Sequence, residues 1–128
     1  MNTAPDNKPY DLKFETREGY LYAYVAGEHD NYDICVAYWA EISKKLAEIR
    51  VDRLMIVEDI VEESQIADVY ELASQLADMG FRGIRIAFVD RYSSHLELNE
   101  FGVLVGSNRG VIGHAFSDEA AAEKWLME

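Results

Sequence analysis

The stretch RLMIV, residues 53 to 57, sets four apolar side chains in a row with no polar residue alternating among them. A strand with one wet face alternates, and a strand covered on both faces does not. The run therefore reads as a central strand buried between two layers. Residues 83 to 89, GIRIAFV, repeat the pattern. Between the two, Ile66, Val69, Ala73, Leu76 and Met79 recur at helical spacing, and Gly80 ends the helix. Strand, helix and strand in that order make the unit of a parallel sheet.

Upstream, residues 27 to 31, GEHDN, break the pattern, and Asp30 or Asn31 can cap a helix running to about Arg50. Cys35, Tyr38, Ile42, Leu46 and Ile49 form its apolar stripe, with Lys44, Lys45 and Glu48 off it. Residues 10 to 16, YDLKFET, alternate as a half-buried strand. The turn Arg17-Glu18-Gly19 joins them to a second strand, YLYAYVA at 20 to 26, as an antiparallel hairpin.

Downstream, Ser94 with Glu97 reads as a capping box for a third helix that fades through Gly102 and Gly106. A turn at 107 to 110 leads to the last strand, VIGHAF at 111 to 116. Ser117 then caps a short helix whose apolar face is Ala121, Ala122, Trp125 and Leu126. The order β-β-α-β-α-β-α-β-α predicts one α/β domain over 10–128. Its sheet is mixed, has about five strands, and begins with the antiparallel hairpin.

The chain of 128 residues is 49% hydrophobic, enough for one domain with its own core. Residues 1–9, MNTAPDNKP, lack a signal peptide's apolar segment and read as a disordered tail. No run approaches the roughly 20 apolar residues of a membrane helix. The single Cys35 forms no internal bridge, which fits a cytoplasmic protein. Net charge is −12, from 24 acidic and 12 basic residues, which disfavours nucleic acid and anionic membrane and permits a basic protein partner or a cation.

In open α/β sheets the working edge lies beyond the carboxyl ends of the parallel strands. That edge should carry GEHDN, EDIVEESQ (58–65), DRYSSH (90–95) and the SDE of the last helix. EDIVEESQIAD holds five carboxylates, and three readings compete for it. Asp59, Glu62 and Glu63 could converge on a hard cation, but no metal-loop spacing or glycine accompanies them. Ser64 could be a regulatory phosphosite or part of a partner contact. The plainest reading makes Ser64 a helix cap with acids near the positive helix end. No metal and no cofactor are expected.

His29 and His95 follow strand ends, so they could meet at the edge. A triad drawn from His95, Asp59 and Ser64 lacks the elbow motif that exposes a nucleophile. GSNRG (106–110) has no phosphate-binding lysine and precedes a strand, so it reads as a turn. Tyr20, Tyr22 and Tyr24 share one strand face opposite Leu21, Ala23 and Val25. That face needs a polar-tolerant cover, either a helix of the same chain or the interface of a homodimer centred on Tyr22.

Four pieces carry a resemblance: EGYLYAYVAGE (18–28), RGIRIAFVD (82–90), NRG (108–110) and HAFSDEAAAEKWL (114–126). In their order and spacing the chain resembles the STAS domains, the fold of anti-sigma-factor antagonists. In detail it looks most like the small bacterial proteins of the SpoIIAA-like branch. The resemblance spans about residues 10 to 126. It implies a non-enzymatic regulatory or protein-binding module of the bacterial cytosol. Its relation in fold to Sec14-type lipid-binding domains implies, as the alternative, a carrier or sensor of a small apolar ligand. Antagonists open the helix after the third strand with an Asp-Ser-Ser-Gly-like motif, and this chain has Glu62-Glu63-Ser64-Gln65 there. The partner-binding or regulatory residues so expected are Asp59, Glu62, Glu63, Ser64, Asp90, Arg91 and His95.

Overall fold

The structure, a computed structural model, describes residues 8–128. Positions 1–7 of the tail expected at 1–9 lie outside the described residues. The strands are β1 (Tyr10–Arg17), β2 (Tyr20–Gly27), β3 (Arg53–Ile60), β4 (Arg85–Asp90) and β5 (Ile112–Phe116). They form one sheet in the order β1-β2-β3-β4-β5. β1 pairs antiparallel with β2, and every other neighbour pairs parallel. The helices are α1 (Tyr32–Ile49), α2 (Ile66–Gln75), α3 (Leu96–Ser107) and α4 (Glu119–Leu126). This is the mixed α/β architecture expected from the sequence.

Strand alternation assigns the two layers. Leu21, Ala23, Val25, Leu54, Ile56 and Ile86 face one core with Tyr38, Trp39 and Ile42 of α1 and Leu72 of α2. Tyr20, Met55, Val57, Ala87 and Val89 face the other, smaller core with Ala122 and Leu126 of α4. The tyrosine face is thus covered within the chain. Tyr20 is buried, and its hydroxyl donates to Glu123 at 2.7 Å and accepts from Arg17 at 3.1 Å. This corrects the homodimer expectation at Tyr20, because the polar-tolerant cover is α4. Tyr22 and Tyr24 stay half-buried, with the Arg17 guanidinium 3.8 Å from the Tyr22 ring centre.

The caps differ from the sequence reading in instructive ways. Asn31 does cap α1, its Oδ1 accepting from the Ile34 N–H at 3.0 Å. Ser64 does not cap α2, which has Gln65 as its N-cap residue with no side-chain bond. The Ser64 hydroxyl is turned to the Asp30 carboxylate instead. Ser94 lies inside a 3-10 turn, Ser93–His95, that runs straight into α3, so the extended cap conformation never forms. Asp118, one residue beyond Ser117, caps α4 through the Ala120 N–H at 3.0 Å. Ala121 is exposed, since Ala122 takes the buried position.

Two element lengths also differ. β3 runs on to Ile60, so Glu58 and Asp59 finish a strand and do not start a helix. α3 continues through its glycines because they serve packing. A Cβ on Gly102 would stand 3.0 Å from Val69 Cγ1, so glycine lets α3 approach α2. Asn31→Ala should cost about 1 kcal/mol through the lost cap, lowering the melting midpoint by about 3–6 °C. A midpoint equal to the parent's by calorimetry would contradict the cap assignment.

Candidate functional site

The pairing of β3 with β4 ends with Glu58 opposite Asp90, and β3 runs two residues further. Glu58 continues the alternation of Leu54 and Ile56, and Asp90 that of Ile86 and Phe88, so both carboxylates enter the side of the larger core. They are 7% and 5% exposed, which is rare for acids. Asp30, just before the α1 cap, brings a third carboxylate to the same place: its charge and that of Asp90 both act on Glu58.

A chain of polar contacts links them. Cys35 Sγ donates to Asp30 Oδ1 at 2.8 Å and lies 3.5 Å from the Tyr38 hydroxyl. That hydroxyl donates to Glu58 Oε2 at 3.1 Å. Among the described residues, no donor reaches Glu58 Oε1. Asp90 is better satisfied. Its Oδ1 accepts from the Tyr92 N–H at 2.9 Å, and its Oδ2 from Asn99 Nδ2 at 2.9 Å. Oδ2 also stands 3.2 Å from His95 Nδ1.

Burial sets the protonation behaviour. It pushes the Glu58 carboxyl well above the ordinary range, and the charges of Asp30 and Asp90 push the same way. Asp30 is raised as well, first by burial, although Cys35 and Ser64 donate to it. The Cys35 thiol and the Tyr38 hydroxyl are pushed up by burial and by these carboxylates. The site therefore holds its protons tightly.

These groups form the polar end of a cavity of about 80 Å³. Its body is apolar, walled by Val69, Leu72 and Leu76 from the α2 side, Val103 from α3, and Ile86 and Phe88 from the sheet. The strand order never reverses, so there is no crevice between helices on opposite faces of the sheet. The space lies instead under the layer formed by α1, α2 and α3. Gly102, Gly106 and Gly113 also line it, offering no side chains to fill it. Trp39 is a further lining residue, and its buried indole N–H has no acceptor among the described residues.

The residues expected at the edge divide into three groups. Asp90 and His95 join the buried cluster with Glu58 and Asp30. Glu62, Glu63 and Ser64 form the rim of the same cavity; the two glutamates are exposed and Ser64 is half-buried. Asp59 and Arg91 go elsewhere. Asp59 alternates to the α4 face and accepts from the Tyr24 hydroxyl. Arg91 pairs with Glu119 at 3.4 Å on that face. Asp59 therefore does not converge with Glu62 and Glu63. Among the described residues no group of three or more His, Cys, Asp or Glu side chains could hold a metal ion. His29 is exposed, 3.6 Å from Glu62, and does not meet His95. The triad of His95, Asp59 and Ser64 does not form, because His95 sits on Asp90 and Ser64 on Asp30. Sequence reasoning missed Glu58, Tyr38 and Cys35 as site residues, and read Asp30 only as a helix cap. The available signal was an acid closing each of two buried apolar strands.

No family model matches the sequence, and no curated protein matches it. Solved structures do match. An anti-sigma factor antagonist from Mycobacterium paratuberculosis superposes with a TM-score of 0.61 at 14% identity, covering 99% of this chain and 100% of that one. An uncharacterised DUF3478-family protein with a SpoIIAA-like fold from Shewanella loihica gives a TM-score of 0.54 at 16% identity, covering 98% of this chain and 99% of that one. The chain has a SpoIIAA-like fold of the STAS type. No helix among the described residues is long and apolar enough to cross a membrane.

Proposed function

We propose that the chain is a non-enzymatic STAS-like regulatory module of the bacterial cytosol that binds a protein partner at the edge beyond its parallel strands. The surface of the β3–α2 connection carries this reading. Val61 and Ile66 are 61% and 62% exposed and flank the exposed Glu62 and Glu63, and Tyr70 lies one turn along α2 at 50%. Large apolar side chains exposed together mark interaction surfaces. Acids among them, on a chain of charge −12, select a partner that is apolar and basic. The likeness in fold to an anti-sigma factor antagonist supports a regulatory role. In this reading Glu62, Glu63 and Ser64 form the contact rim, Asp90 and His95 brace it from inside, and Asp59 with Arg91 bounds it on the α4 side.

The buried acids resemble the groups that acid–base enzymes use. They have no activated nucleophile beside them. The Cys35 thiol is pushed up, so its reactive thiolate is suppressed. The Ser64 hydroxyl is engaged with Asp30. A phosphate on Ser64 would also meet Asp30, Glu62 and Glu63, which repel it.

The test is a photo-crosslinking phenylalanine analogue placed in living cells at position 61, 66 or 11. A discrete covalent adduct is expected from 61 and 66, and none from 11, which lies on β1. No adduct from 61 or 66 would contradict the partner edge.

A second reading, a small-ligand sensor, is favoured by the cavity. Glu62, Glu63 and Ser64 belong both to its rim and to the exposed edge, so occupancy would bear on the partner surface. At about 80 Å³ it is far below the roughly 300–1,000 Å³ of pockets for larger ligands, so a lipid of the Sec14 kind does not fit.

A further inference from the structure

We propose that the cavity binds a small neutral carbonyl compound, a short ketone or aldehyde, whose oxygen accepts from the Trp39 indole N–H and whose alkyl groups lie between α2, α3 and the sheet. This rests on the sensor reading of the same cavity and names the chemical class of the ligand.

Three observations converge on it. The first is an orphan donor. Trp39 is 1% exposed and lines the cavity, and its indole N–H has no acceptor among the described residues. A buried donor left without an acceptor is costly and uncommon, so an acceptor is what this place lacks. An indole can only donate, and a carbonyl oxygen can only accept. A ketone or aldehyde therefore answers the N–H and brings no donor of its own that would need a partner.

The second is charge. Asp30, Glu58 and Asp90 line the cavity, and no lysine or arginine does. A carboxylate ligand would be repelled there. A cation carries donors alone and leaves the indole unanswered. A neutral acceptor avoids both conflicts. Burial also holds the Glu58 carboxyl protonated well above the ordinary range, so it too presents a hydrogen to a neutral oxygen.

The third is shape. Much of the wall is aliphatic and aromatic: Leu72, Leu76, Val103, Ile86 and Phe88. Water needs two to four polar partners, which that part of the wall does not offer, whereas short alkyl groups suit it. The volume, about 80 Å³, is about half of the roughly 150 Å³ that admits benzene in an engineered cavity, which limits the ligand to about three to five heavy atoms.

The experiment uses three nearly isosteric probes on the full chain at neutral pH: acetone, sodium acetate and isopropylammonium chloride. Each is titrated to about 50 mM, because so small a ligand binds weakly. Heteronuclear NMR follows the backbone amides and the indole N–H signals of the chain's two tryptophans. Trp39→Phe assigns the pair, and Trp125, on α4, serves as the control. Acetone should saturate, moving the Trp39 indole proton downfield together with the amides of Gly102 and Gly106. The Trp125 signal should stay in place, and acetate and isopropylammonium should be inert. Replacing Trp39 by 3-benzothienylalanine, which keeps the ring shape and puts sulfur where the N–H stood, should weaken acetone by about tenfold, the scale of one hydrogen bond. Acetone that moves Gly102 and Gly106 but not the Trp39 indole, and binds this variant as well as the parent, would overturn the carbonyl assignment and leave the small-ligand reading standing. Saturation by acetate or isopropylammonium in place of acetone would do the same. No saturable shift with any probe would overturn both. None of these results bears on the crosslinks expected from positions 61 and 66.

Discussion

At pH 8, Glu58→Gln should unfold several degrees above the parent chain, and at pH 4 the two should unfold together. The glutamine keeps the shape and still accepts from the Tyr38 hydroxyl, so the packing is unchanged. What changes is the charge. In the folded chain burial and the facing groups, Asp30 and Asp90, hold the Glu58 carboxyl well above its ordinary value. The other titratable side chains lining the cavity are Cys35, Tyr38, Glu62, Glu63 and His95. In the unfolded chain it titrates near about 4.3. Below that value both states are protonated and nothing is lost. Above it the unfolded state releases a proton that the folded state retains, so the stability contribution falls as pH rises, until the folded carboxyl itself ionises. Asp30, also raised, acts in the same direction. Removing the Glu58 charge should stabilise the fold at pH 8 by about 1–3 kcal/mol, the scale of a buried polar group without its partner. At this size that is about 3–10 °C. A variant whose advantage is the same at pH 4 and pH 8 would show that the charge is not the cause.

Trp39→Ala should be the more damaging change. Trp39 is 1% exposed and stands edge-on to Phe81 with ring centres 5.1 Å apart. It also packs on Phe88 at 5.6 Å and on Tyr38 at 6.3 Å, tying α1 to the sheet and to the segment after α2. Losing it removes transfer free energy and leaves a hole, about 3–5 kcal/mol in total. That is a large part of the roughly 5–15 kcal/mol that holds a domain together. Trp39→Phe should cost clearly less than the difference in ring size implies, because it also removes an indole N–H that has no acceptor among the described residues. Urea unfolding of the two variants separates these contributions. Equal losses for Ala and Phe would mean that the N–H, not the ring, sets the energetics.

Glu58 shows why the fold was more legible than the site. Apolar runs at 53–57 and 83–89 sufficed for buried parallel strands, since covering both faces is a requirement on every residue of the run. The same rule, carried one step further along the alternation, puts Glu58 and Asp90 inside. Composition pulled the other way, because acids after an apolar run read as the polar start of a helix. Ser64, Ser94 and Ser117 fit cap patterns by spacing alone. Tertiary contacts decided otherwise: the Asp30 carboxylate claimed Ser64, and a 3-10 turn absorbed Ser94. The tyrosine face was legible as a face, but which of two covers it received depended on where α4 folds back. The meeting of Asp30 with Glu58 links positions 28 residues apart in sequence, beyond the reach of any local pattern.

Carbon-13 NMR of the Glu58 side-chain carboxyl, titrated from pH 3 to pH 10, reads the buried acid cluster most directly. Glu58 should remain protonated well above the ordinary carboxylate range, near about 4.3. A Glu58 that ionises within the ordinary carboxylate range would contradict the picture of a buried, mutually repelling set of acids where β3 and β4 pair last.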